Sequence, residues 1–161
     1  MTVKFKSQKQ LERFLLKKCR LAMIDATNEV YAIIKEVLYN YYLDYDPVVY
    51  ERTYQLLQSL VVPRIVSDGK GYKAEIYFDL DKLKYNKSDW QKGNAPTGEQ
   101  VFDAAGKGLH GAIGDAGGGY QFYHVPGKTG ASIWPETELI MDAVAIDTLK
   151  DALIAYGIPI K

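Results

Sequence analysis

The chain offers few residues with the chemistry for a reaction: the two histidines His110 and His124, the single Cys19, and the acid pairs Asp79/Asp81 and Asp44/Asp46. A catalytic zinc takes three protein ligands and keeps a fourth position open. The two histidines alone fall short of that, and Cys19 lies far upstream with no C-x-x-C partner. Asp79, Asp81 and His110 are the set that a small metal-dependent hydrolase or nuclease would use, provided that they converge on one ion. A carboxylate pair works in acid–base catalysis only when its two environments differ. Both pairs instead flank turn or strand-end residues, where solvated Asp is ordinary. Cys19 sits between Lys18 and Arg20 without a G-x-S-x-G elbow or a general base nearby. The glycines of GDAGGG, at 114–119, lack the Gly-Lys-Ser/Thr ending of a phosphate loop. Gly127-Lys128-Thr129 has those letters but no upstream glycine at the right spacing. The expectation is a protein without an enzymatic activity, a bound metal or a cofactor.

The phenols are the distinctive feature. The chain has 13 Tyr against 5 Phe and 2 Trp, and tyrosine combines a rigid apolar ring with a hydroxyl that tolerates water. Six of them crowd into residues 39–60, YNYYLDYDPVVYERTYQLLQSL. Tyr41, Tyr42, Tyr45, Tyr50 and Tyr54 cannot all face one core. Two readings stand: some rings are core and the rest are covered by the chain's own loops, or some are anchors for another protein surface. Tyr120, Phe122 and Tyr123, set among glycines, suit a loop that drapes over a partner and anchors by its rings.

These residues must be held by a small set of elements. Ser7 and Gln10 open a capping box. Leu11, Phe14, Leu15, Ala22, Ala26, Val30, Ile33, Ile34, Val37, Leu38 and Tyr41 then recur at three and four, predicting a helix over 7–42. Such a helix is about 50 Å long. A compact domain of this size has a radius of only about 13–15 Å, so the helix kinks or one end finds a partner. Asp46-Pro47 starts a second, short helix over 47–59. Residues 60–80 read as a β-hairpin around Ser67-Asp68-Gly69-Lys70-Gly71, with Ala74, Ile76 and Phe78 on one face. Residues 82–96 read as a loop, 99–112 as a weak helix, and 114–130 as a glycine-rich loop. A last helix spans 135–156 and stops at Gly157. The fold class is α+β, one domain over 1–161: a long N-terminal and a C-terminal helix packed on a small antiparallel sheet of three or four strands.

Twenty basic and twenty acidic residues cancel. No global field steers the chain to nucleic acid or to an anionic membrane, so neither specific nucleic-acid recognition nor membrane binding is expected. No stretch approaches the roughly 18 apolar residues of a membrane span, and the start, MTVKFKSQKQ, lacks a signal-peptide core. The expected setting is a reducing cytoplasm.

A family resemblance enters with Tyr45, Pro47, Tyr50, Arg52, Thr53, Leu56, Ser59 and Leu60, the motif Y-x-P-x-x-Y-x-R-T-x-x-L-x-x-S-L. Preceded by a long amphipathic helix and followed by a hairpin, a GLHG element at 108–111 and a terminal helix, it resembles the neck and tail-completion proteins of tailed bacteriophages, the HK97 head–tail connector group. The resemblance spans about 11–157 and rests mainly on the first 60 residues. It implies an α+β virion subunit that forms a ring with copies of itself. The partners it implies are the portal or head–tail adaptor on one side and the tail terminator or tail tube on the other. The protein would be made in the host cytoplasm and end in the virion. Arg52 would bridge a neighbouring carboxylate, and Tyr41, Tyr42, Tyr45, Tyr50, Tyr54, Tyr120, Phe122 and Tyr123 would be contact residues. The alternatives are the metal-dependent hydrolase or nuclease above and a cytoplasmic protein-binding module.

Overall fold

The computed structural model describes residues 4–43, 54–67, 69, 71–83, 97–107, 111–114, 120–123 and 133–160. Helix α1 runs Gln8–Leu43. No Gly or Pro interrupts it, so nothing breaks the backbone ladder over its 36 residues, about 54 Å. Its first turn is capped as the sequence suggests, Gln10 N donating to Ser7 Oγ at 3.3 Å. The returning bond goes one residue further out, from Lys6 N to Gln10 Oε1 at 2.9 Å. Ala22, Ala26, Val30, Ile34, Val37 and Leu38 are buried at three- and four-residue spacing, the core stripe of the helix. Leu11 and Leu15, which extend that stripe towards the N-terminus, are exposed.

The chain gathers into two compact units, each built from separated stretches of sequence. The first takes Met1–Ala32, Val62–Ile76 and Ile140–Lys161. Its hairpin pairs β1 (Arg64–Ser67) with β2 (Tyr72–Glu75) antiparallel, Ile65 opposite Ala74 and Arg64 opposite Glu75. Gly69 takes φ 84° in the turn, a conformation that favours glycine, and its N–H donates to Ser67 Oγ at 3.3 Å. The last helix, α4, spans Ile133–Ala155. It closes in a Schellman motif: Ile158 N donates to the Leu153 carbonyl at 2.9 Å and Gly157 N to the Ile154 carbonyl at 2.8 Å. Gly157 supplies the φ of 74° that this ending needs. Two side chains of α1 hold the same end: Lys18 Nζ donates to the Tyr156 carbonyl, and the Tyr156 hydroxyl donates to Asp25 Oδ2 at 2.6 Å.

The second unit takes Ile33–Val61 and Tyr77–Leu139. Here α2 (Gln55–Ser59) leads into a bridge between Leu60 and Phe78. Leu38 and Ser59 are fully buried. The hidden Ser59 is satisfied on both sides, its hydroxyl donating to the Leu56 carbonyl at 2.7 Å and its carbonyl accepting from Asp79 N at 2.7 Å. A 3₁₀ turn at Leu80–Lys82 abuts α3 (Gly98–Gly106). Phe78 meets Phe102 edge-on at 4.9 Å. Thr97 and Gln100 form a full capping box on α3. Strands β3 (Gly111–Gly114) and β4 (Tyr120–Tyr123) pair antiparallel, Gly111 opposite Tyr123 and Ala112 opposite Phe122.

The fold class is α+β, with the long first helix, the closing helix and antiparallel strands all present. Three readings of the sequence change. Among the described residues the strands form two two-stranded sheets instead of one sheet of three or four. The segment 114–130, read as one loop, holds β4 and the last residue of β3. The weak helix expected over 99–112 ends at Gly106, and a strand begins at Gly111. Gly106, Gly108 and Gly111 lower helix propensity there, while Tyr120, Phe122 and Tyr123 are strand formers. Of the short helix expected over 47–59, the described part is Gln55–Ser59, and its Asp46-Pro47 start lies outside the described residues.

Candidate functional site

The end of α1 presents Tyr39, Tyr42 and Leu43 on one side, because residues three and four apart neighbour each other on a helix. Opposite them α2 supplies Leu57 and Gln58, preceded by Tyr54. Together they line an open cleft of about 490 Å³ within the second unit. The Tyr42 ring sits between two others, 5.5 Å from Tyr41 at 70° and 4.9 Å from Tyr54 at 50°. Both are favourable tilted or edge-on pairs. Lys35 Nζ lies 6.0 Å from the centre of the Tyr39 ring, at the outer reach of a cation–π contact.

Tyr54 carries backbone strain. Its φ of 53° and ψ of 23° are left-handed, and it is the one described non-glycine residue with positive φ. For a bulky side chain that conformation costs roughly 1–3 kcal/mol. Two contacts hold it: the ring packs on Tyr42, and the Tyr54 carbonyl accepts from Gln58 N at 3.0 Å, which starts α2. Leu43, 78% exposed, and Tyr54, 43% exposed, leave apolar surface at the mouth of the cleft.

The residues singled out from sequence fall in three places. Tyr42 and Tyr54 line this cleft, and the Tyr41 ring packs beside that of Tyr42. Tyr120, Phe122 and Tyr123 lie along β4. Tyr45, Tyr50 and Arg52 lie outside the described residues. Tyr39, Leu43, Leu57 and Gln58 line the cleft without having been singled out; the i, i+3, i+4 spacing of Tyr39, Tyr42 and Leu43 was the signal available. Of the acids weighed for catalysis, Asp79 pairs with Lys82 at 3.5 Å and Asp81 is exposed on the 3₁₀ turn. His110 lies outside the described residues. Among the described residues no group of three or more His, Cys, Asp and Glu is placed to hold a metal ion. None of their helices is long and apolar enough to cross a membrane. The cleft's own chemistry is a set of amphipathic rings around an apolar hollow, suited to receive a partner's side chain.

No curated protein and no solved structure matches the chain significantly. The model of one family, YomN, matches residues 7–153, from just before α1 to two residues short of the end of α4. The chain therefore belongs to the YomN family, which phages and prophages encode.

Proposed function

We propose that this chain is a structural virion protein, a ring-forming neck or tail-completion component that joins the portal or its adaptor to the tail. Membership of a phage-encoded family supports the setting. The observation that carries the role is the aromatic cleft at the end of α1, where Leu43 and a strained Tyr54 stand exposed. Strained left-handed residues cluster at binding and switch sites, and exposed rings beside an apolar hollow are the anchors that protein interfaces use. In this reading the chain catalyses nothing. Its copies contact one another and its neighbours in the particle, assembled in the host cytoplasm and retained in the virion.

The test is a phage or prophage deleted for this gene, examined by negative stain. Filled heads and separate, complete tails are expected, with infectivity restored by the purified chain. Normal joined particles from the deletion would defeat the reading.

A further inference from the structure

The residues leading into α1 and its first turns carry a net positive charge, whereas the rest of the chain is net negative. Residues 4–20 hold seven Lys and Arg against one acid, Glu12. Lys9, Arg13 and Lys17 follow one another at four-residue spacing, with Arg20 three further on. At about 100° per residue they fall within about 80° of the helix circumference. All four are exposed, and none joins an ion pair among the described residues. Like charges at this spacing weaken an isolated helix, so the arrangement favours an acidic counterpart. Leu16, also exposed, lies beside them.

The chain is neutral overall, so the matching negative excess lies elsewhere in it. Helix α4 has five acids against one Lys. Its residues Ala143, Ile146, Asp147, Lys150, Asp151 and Ile154 recur at the spacing of one helical face, and all are exposed. Ile146 is 59% and Ile154 58% exposed. Asp147 is engaged by Lys150 at 3.0 Å, an exposed pair that a stronger cation displaces at little cost. This face carries apolar side chains with acids beside them; the α1 face carries cations with Leu16 beside them.

We infer that the basic face of α1 docks on the Ile146–Asp151–Ile154 face of α4 in a second copy of this chain. Two different faces can meet head-to-tail, and such a contact closes into a ring when the rotation between successive copies closes. It rests on the neck reading and names the surface by which the copies would meet. A nucleic-acid or lipid partner would satisfy the cations but leave the exposed isoleucines of α4 uncovered.

The experiment measures self-association of the full chain by sedimentation over a concentration series, with R13E/K17E, with D147K/D151K, and with the two variants mixed. Each variant alone is expected to weaken association by about tenfold or more, and so is high salt. The mixture is expected to recover it, because each variant then offers the other a complementary face. Circular dichroism reports folding; where a double reversal unfolds the chain, R13A and D151A replace it, with a smaller shift in the same direction. Association untouched by either reversal overturns this surface and leaves the neck reading standing. So does a wild-type chain that stays monomeric, the neck reading then being decided by the deletion phage. Charge-dependent binding to phosphatidylserine vesicles or to duplex DNA, with self-association unchanged by R13E/K17E, overturns it in favour of those partners.

Discussion

The Tyr42 ring lies 4.9 Å from that of Tyr54, and Tyr54 holds a left-handed backbone while making the contact. The ring pair and the strain are thus linked. In a double-mutant cycle of Tyr42→Ala and Tyr54→Ala, followed by chemical denaturation, a coupling of about 0.5–1.5 kcal/mol is expected. Tyr54→Gly should cost less than Tyr54→Ala, because glycine accepts the backbone conformation. Equal losses for the two would show that strain plays no part.

Leu38 is fully buried on the core stripe of α1. Leu38→Ala is expected to destabilise the fold by about 2–5 kcal/mol through lost burial and the cavity left behind. Leu11→Ala, on the exposed part of the same helix, should shift the denaturation midpoint far less.

Gly98 begins α3 against the 3₁₀ turn, where a Cβ would press into the Leu80 carbonyl and stand 3.2 Å from that of Leu83. Backbone cannot rotate away as a flexible side chain does. Gly98→Ala should therefore cost about 1–3 kcal/mol, visible as a lowered Tm, whereas Gly71→Ala, with open space around its position, should be mild.

The hydrogen bond to Asp25 raises the Tyr156 hydroxyl above its ordinary value of 10.0, with burial and the Asp25 charge acting in the same direction. A raised group stabilises the fold below its ordinary value and loses that contribution as pH rises through the folded one. The stability difference between wild type and Tyr156→Phe should thus be constant from about pH 6 to about pH 9 and shrink at higher pH. A difference that grows with alkali would contradict the assignment.

Helix α1 was legible because its evidence is local: a Ser7 cap, an unbroken run of helix formers, and one apolar stripe. The ending of α4 was legible at Gly157 for the same reason. Strands β3 and β4 were not, since glycines between and within them carry no periodicity, and their pairing is a contact between separated residues. The Thr97–Gln100 capping box stood in the sequence as T-x-x-Q but lies beyond a polar stretch without an apolar run. At the cleft, Tyr42 and Tyr54 could be named from the crowding of tyrosines in one stretch of sequence. The left-handed turn at Tyr54 could not, because no propensity favours it and only the surrounding packing sustains it.

Both compact units draw on distant stretches of chain, and α1 contributes to each. No single cut therefore yields a self-sufficient half. Both chain ends belong to the first unit, so serial truncation, the usual way to map which part of a protein binds what, would dismantle that unit from either side and report the loss of its fold as a loss of binding. Point changes on the surface are the means of dissection that this architecture permits.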